Sequence, residues 1–524
     1  MSLLRTSSHR TSVLAERALG QSQFTRTFAA GVNGVHVPHA LPSPLNGFAP
    51  KDNGVDLRAV TRKHWDSEAW PAEESKAALE AHAMETWSPG AVIKDLPLMV
   101  RGEGVYLYDS DGKQYADITS SSICANLGHT APTSVKAAIN HQLDTLPFVY
   151  SGLATCEPRA RLAKLLADIL PGDLNGFLFP TGGGEANEAA IRMARRYTGR
   201  HKILSNYRSY HGGTTSALAA TGDFRRWFGE QGAHGHVKVF GPSPWHFSQG
   251  STEEQQADGA LAMLEEQILL EGPGNIAAVL MESLVGGAGG FKHPAHYMQG
   301  VRALCDRHGI VLILDEVMVG FGRTGKLWGF QHYEGVVPDM VTSAKGLSAS
   351  ILPLSMVAVR EPIKKFFEAQ STGWGATFHA HPMGLACAYA TVKHVLDTDV
   401  IGHVNKLAPV LEQEVARLVR EHPSVARGRA FGLFSCLDIV DPSNTEAGSS
   451  GRSNQEGTPV QRLEGPAAPG LERFKEALHK HGVFGLFRLP SLHITPPLVI
   501  TEAELLDATQ RLSSALKDSL DKPA

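Results

Sequence analysis

The chain has 524 residues, which by a rule of roughly 150 residues per domain allows two or three domains and a large buried core. Its formal charge of −4 supplies no basic field for nucleic acid, and its five cysteines lack the CxxC and CxH spacings of disulfide frameworks and zinc sites. Its apolar runs fall short of the roughly 20 residues that cross a bilayer; the most apolar, Ile310 to Leu314, ends in Asp315 and Glu316.

In chain order, residues 1–30 carry Arg5, Arg10, Arg17 and Arg26 among many Ser and Thr, with Glu16 the sole acid. That is the composition of a mitochondrial transit peptide and predicts delivery to the matrix; a plain basic tail would read the same way. Residues 31–54, rich in Pro and Gly, are expected to be a linker, and 55–130 an N-terminal segment. In that segment Asp111-Gly112 between alternating apolar residues marks a hairpin turn within Gly104 to Asp117. From 131 to 385, short apolar runs alternate with helical patterns, as in Phe177 to Phe179, Ile203 to Leu204, Ala277 to Met281, Ile310 to Leu314, Met340 to Val341 and Ser355 to Val359. This alternation predicts a large α/β domain whose mostly parallel sheet is covered by helices on both faces. Residues 386–524 read as a smaller α+β domain, interrupted at 441–470 by a Ser-, Gly-, Pro- and Asn-rich insertion with few apolar residues.

Four short segments could carry chemistry. Thr181-Gly-Gly-Gly-Glu-Ala-Asn187 follows a strand and opens a helix through Ala190, Met193, Ala194 and Tyr197. Converging backbone N–H groups and the helix dipole make such a turn an anion site, here without the Lys-Ser/Thr of a Walker loop. Asp315 ends a continuous apolar strand, where ligands of open α/β sheets bind, and a carboxylate there is costly unless it faces a cation. Lys345 stands just past another short strand, and an amine in a partly desolvated cleft becomes a nucleophile toward carbonyls. Tyr210, in Ser209-Tyr-His-Gly-Gly213, offers a ring that could stack on a flat cofactor.

A phosphate cradle, a stacking ring, an anion and an amine, in this order, resemble the class III aminotransferases. Leu127-Gly-His129, Gly320-Phe-Gly-Arg-Thr-Gly325, Gly375-Ala-Thr377-Phe-His-Ala-His-Pro382 and Pro496-Pro-Leu-Val extend the resemblance from about Gly104 to near the C-terminus. It implies an α/β fold of type I among pyridoxal-phosphate-dependent transferases. It further implies that Lys345 holds the cofactor covalently, that Asp315 pairs with the protonated pyridine nitrogen, and that Tyr210 and Val317 pack on opposite ring faces. The amides of Gly183 and Gly184 would bind the phosphate, with Glu282 near the phenolic side and Thr377 reaching the phosphate of the neighbouring subunit. A homodimer with shared sites would follow.

Departures from the family pattern bear on the substrate. Met318 stands where many members carry a Gln, and Gly287 and His493 occupy positions where α-carboxylate users place an acid and an Arg. An ω-amino acid or taurine-like amine with pyruvate or glyoxylate as acceptor is therefore expected. Trp87, Tyr150, Arg488 and His493 are the candidate substrate residues. An aminomutase, racemase or decarboxylase of the same fold stays open. A dehydrogenase reading rests on Gly320-x-Gly-x-x-Gly325, which leads into Lys-Leu-Trp-Gly rather than a helix.

Overall fold

The computed structural model describes residues 70–229, 234–242, 252–287, 289–441, 458–459, 469–488 and 491–521. The expected transit segment 1–30, the linker 31–54 and nearly all of the insertion 441–470 lie outside them. The chain divides into two units, residues 1–98 with 461–469, and 99–460 with 470–524. In the first, α1 (Ala72–His82) buries none of its residues, and a 3-10 turn follows at Gly90–Asp95.

The second unit opens with an antiparallel meander, β1 (Met99–Glu103), β2 (Tyr106–Asp109) and β3 (Gln114–Asp117). The Asp111-Gly112 turn is where the sequence predicts it. The Asp109 carboxylate accepts the amides of Asp111 at 3.0 Å and Lys113 at 2.9 Å, and Gly112 takes a φ of +80° that suits glycine.

Short apolar runs supply most of the seven strands of a sheet whose centre is buried on both faces. These are β4 (Leu174–Leu178), β5 (Lys202–Asn206), β6 (His236–Val239), β7 (Ile276–Glu282), β10 (Val311–Asp315), β11 (Met340–Ser343) and β12 (Met356–Arg360); between β7 and β10 lies a small hairpin, β8 (Leu284–Val285) and β9 (Phe291–Lys292). Their order in the sheet is β4-β12-β11-β10-β7-β5-β6, with β12 antiparallel to both neighbours and the remaining pairings parallel. Period-two alternation splits the core: Val279, Met281, Leu312 and Leu314 point to one face, Ala278, Leu280, Val311 and Ile313 to the other. Helices α2 (Thr133–Thr145) and α3 (Glu157–Ile169) precede the sheet, and α4 (Gly183–Thr198) covers the second face with Ala186, Ala189, Ala190 and Ala194. After α5 (Thr215–Ala220), the first face is covered by α3, α6 (Glu253–Glu271) and α7 (Ala295–His308). After α8 (Glu361–Glu368) comes α9 (Pro382–Asp397), which also packs on the first face. The domain boundary expected at 385/386 thus falls inside a helix. Leu385, Ala388 and Val392 of α9 bury in the main core, so packing carries the helix across the break that composition suggested.

Beyond it, α10 (Val400–Glu421) leads to a sheet of β13 (Val425–Phe431), β14 (Phe434–Asp441), β18 (Ser491–Ile494) and β17 (Leu486–Arg488), with β15 (Thr458–Pro459) on β14. Helix α11 (Pro469–Lys480) and β16 (Val483–Phe484), which pairs with β3, intervene, and α12 (Glu502–Ser519) closes the chain. Among the described residues no helix is long and apolar enough to cross a membrane.

One arginine ties these parts together. Ser120 to Ile123 all take positive φ, between 41° and 71°, a conformation that costs about 1 kcal/mol or more per residue. The Asp117 carboxylate holds the turn through the amides of Thr119 at 2.9 Å and Ser121 at 2.7 Å. Arg323, fully buried, donates to Ser120 Oγ at 3.1 Å and Asn126 Oδ1 at 2.9 Å, and to the carbonyls of Leu433 at 3.0 Å and Pro496 at 2.5 Å. Burial pushes its pKa down to about 9. Arg323→Met would strand buried acceptors from three segments; we expect a loss of about 2–4 kcal/mol in denaturant unfolding, with Arg323→Lys intermediate.

Candidate active site

The site forms at the carboxyl ends of β7, β10 and β11, where the parallel register sets Glu282, Asp315 and Thr342 side by side. Asp315 is buried, so its charge needs partners. Asn187, one turn into α4, donates to Oδ2 at 2.7 Å, His211 Nδ1 lies 2.8 Å from the same oxygen, and the Val317 amide donates to Oδ1 at 2.9 Å. Asn187 is itself fixed: it donates to the His211 carbonyl at 2.8 Å and accepts from Thr342 Oγ1 at 2.7 Å. The carboxylate is therefore locked in one orientation. His211 and Asn187 lie inside the segments singled out from sequence, yet no role was assigned to them; only the fold brings residues 104 and 128 positions away onto Asp315.

The glycine turn enters α4 with Gly182 at the N-cap and no side chain capping it. A Cβ on Gly183 would stand 2.8 Å from Val317 Cγ1, and one on Gly184 3.2 Å from Gly212 Cα. Glycine is required here by close approach, and the helix amides stay open to an anion. Glu185 reaches back to accept from the Thr181 amide at 2.9 Å and hydroxyl at 2.7 Å, bracing the turn. Lys345 opens a 3-10 turn directly after β11, three residues past Thr342, with a φ of +36° that is strained for a residue with a Cβ.

Glu282 is the second buried acid. Its two oxygens accept from the Tyr210 amide at 3.1 Å and the Gly286 amide at 2.7 Å, so it binds the Tyr210 segment to the loop after β8. Burial, reinforced by the nearby Asp315, pushes its pKa up to about 7 against the pull of these amides and His211. Glu316 is also raised to about 7 by burial, but it points away from this cluster, capping a 3-10 turn through the amides of Gly329 at 2.7 Å and Phe330 at 2.8 Å.

The other candidates lie on separate elements of the chain. Tyr210 is half-buried beside this cluster, with the Arg225 guanidinium 3.6 Å over its ring. His493 is fully buried in β18, where its Nε2 lies 3.1 Å from the Gly286 carbonyl. Arg488 ends β17, its backbone opposite Ser491. Trp87 belongs to the separate N-terminal unit and is 49 % exposed. Thr377 is exposed. It neighbours Phe378, whose ring packs at 6.1 Å on Phe148; Tyr150 follows two residues later.

Residues 91–516 match the family model described as aminotransferase class-III. The chain belongs to the class III aminotransferases. It is 34 % identical over 386 residues to an uncharacterised aminotransferase, YhxA, of Bacillus subtilis, covering 71 % of this chain and 83 % of that one. It is 30 % identical to the putrescine–pyruvate aminotransferase of Pseudomonas aeruginosa over 67 % of this chain and 79 % of the relative. The solved taurine:2-oxoglutarate aminotransferase of Bifidobacterium kashiwanohense, in complex with PLP and glutamate, matches with a TM-score of 0.78 at 36 % identity, over 86 % of this chain and 98 % of that one. This aminotransferase accordingly has the type I fold and depends on pyridoxal phosphate. Its residues fit that cofactor: an uncapped helix entry lined by glycines suits a phosphate, and a clamped, buried carboxylate suits a protonated pyridine.

The raised pKa of Glu282 has a measurable consequence for the cofactor-stripped aminotransferase. The folded state holds a proton that the unfolded chain releases near pH 4.5, so stability falls as pH rises from about 4.5 to about 7 and then levels. Glu282→Gln should flatten that window in thermal unfolding relative to the parent protein, while the Glu316 contribution persists in both.

Proposed function

We propose that this aminotransferase moves the amino group of an ω-amino acid or related amine to a keto acid, pyruvate or glyoxylate, in two successive half-reactions. The carrying observation is the Asp315 carboxylate, clamped by His211 and Asn187 on the strand next to the one that presents Lys345. When bound, pyridoxal phosphate supplies a carbonyl that takes up amines and a ring that accepts electrons. In this reading Lys345 anchors the cofactor and its Nζ then carries the donor's proton; Asp315 holds a proton at the ring nitrogen. The amides of Gly183 and Gly184 bind the phosphate, Tyr210 and Val317 bracket the ring, and Glu282 stands on the phenolic side. The taurine:2-oxoglutarate relative supports the donor class and the putrescine–pyruvate relative the acceptor, and Gly287 and His493 in place of an acid and an arginine fit the same donor class.

The reading includes a homodimer in which Thr377 of the partner subunit reaches the phosphate. Phe148, Tyr150, Leu153 and Phe378 are between 40 % and 88 % exposed beside that segment, an apolar surface suited to a second copy. It also places the enzyme in the mitochondrial matrix, which a reporter fused to residues 1–30 would test.

Lys345→Ala should abolish transfer from every donor while the far-UV spectrum is kept; retained turnover would remove Lys345 from this role. Asp315→Asn should weaken cofactor binding about tenfold or more in equilibrium dialysis, because the ring nitrogen loses its charged partner. A panel of ω-amino donors against pyruvate, glyoxylate and 2-oxoglutarate decides the acceptor, and conversion of one donor without any acceptor would favour the mutase, racemase or decarboxylase alternative.

A further inference from the structure

Lys345 keeps a backbone conformation that a residue with a Cβ disfavours, so its surroundings must hold it there. Its φ of +36° lies in the left-handed region, where the Cβ crowds the chain. The hydrogen bonds of the turn do not account for the strain. The Leu347 amide donates to the Ala344 carbonyl at 2.7 Å and the Ser348 amide to the Lys345 carbonyl at 3.3 Å, bonds that an ordinary 3-10 turn makes with negative φ.

The chain is anchored on both sides of Lys345. Before it, Thr342 donates to Asn187 Oδ1 at 2.7 Å and accepts the Glu316 amide at its carbonyl at 2.8 Å. After it, Gly346 is buried in a niche: a Cβ there would stand 2.6 Å from Asn126 Nδ2, 3.1 Å from Phe321 Cβ and 3.2 Å from the Gly320 carbonyl oxygen. Gly346 is not among the residues with positive φ, so close approach and not backbone conformation requires the glycine. Relaxing Lys345 toward negative φ would carry Gly346 out of this niche.

Asn126 supplies the niche wall that is itself held by a side-chain bond. It is buried, its carbonyl accepts the Leu498 amide at 2.7 Å, and its Oδ1 accepts from Arg323 Nη2 at 2.9 Å. A guanidinium only donates, so this bond fixes which end of the amide is oxygen and turns Nδ2 to Gly346. Phe321, a second wall, has a φ of +61°, and the turn Ser120–Ile123 that leads to Asn126 is strained throughout. Strained backbone from three segments thus gathers around the contact between Asn126 and Gly346, one residue from Lys345; strain persists where the surrounding structure over-determines a geometry.

We propose that Asn126 is a positioning residue for Lys345: oriented by Arg323, it keeps Gly346 in place so that Lys345 holds the backbone conformation from which its amine serves the cofactor. This role rests on the one given to Lys345 in the transfer reaction proposed above.

Asn126→Ala removes the wall, and Gly346→Ala pushes a methyl against it. After pyridoxal phosphate is added to the stripped full-length protein, borohydride reduction at timed intervals and peptide mass report how fast the cofactor becomes attached to Lys345. Each single variant should attach it about 10- to 100-fold more slowly, and in the holoenzyme kcat should fall by a similar factor with KM for the donor within about twofold of the parent. Deleting the Asn126 amide opens the space that a Cβ on Gly346 needs, so the double variant should recover part of both losses. Asn126→Asp, which keeps the shape and pairs its charge with Arg323, should stay within about threefold of the parent.

A variant Asn126→Ala that melts at lower temperature yet attaches cofactor and turns over at parent rates would overturn the proposal and leave Asn126 a support for the fold. Losses that simply add in the double variant, or an Asn126→Asp as slow as Asn126→Ala, would overturn it too. Attachment to a different lysine would remove the role of Lys345 and the proposal with it, and the peptide mass tells that failure from the others.

Discussion

The buried charge of Asp315 is the constraint on which the rest of the site depends. A carboxylate at the end of an apolar strand, sealed from water, is tolerable only with donors around it, and three converge on its two oxygens. Each donor comes from a different part of the chain: α4, the segment after β5, and the turn after β10 itself. Satisfying one carboxylate therefore brings the helix entry, the Tyr210 segment and the strand ends to a common point.

Close backbone packing completes what that charge begins. Gly183 lets Val317 approach the helix entry, and Gly184 and Gly212 lie against each other, so the turn before α4 and the segment after β5 meet without side chains between them. Glu282 plays the corresponding part on the next strand, spanning from the Tyr210 amide to the Gly286 amide. Two neighbouring acids in parallel register thus organise opposite sides of one site, and burial shifts the proton equilibrium of Glu282 upward. Arg323 does the equivalent work at the seam between the N-terminal meander and the C-terminal sheet, through carbonyls and hydroxyls instead of carboxylates.

Much of this was legible in the chain because it is local. Continuous apolar runs are what strands buried on both faces require, and they mark β7 and β10 without ambiguity; the Asp111-Gly112 turn and the glycine entry to α4 are equally short-range signals. The partners of Asp315 were not legible, since pairing across more than a hundred residues leaves no trace in spacing. The setting of His493 was equally hidden: the fold buries it in β18 with its Nε2 at the Gly286 carbonyl.

Sequence alone determined the family, the cofactor and the order of the chemical groups, because each is carried by a contiguous motif whose backbone geometry is local. Tertiary structure decided how those groups are held: which donors orient Asp315, how Glu282 joins two loops, and where Arg225 comes to rest over Tyr210. The physical reason is that a buried charge must be neutralised or hydrogen-bonded by whatever the fold brings near it, and proximity in a seven-stranded sheet with crossover helices follows strand order rather than sequence order.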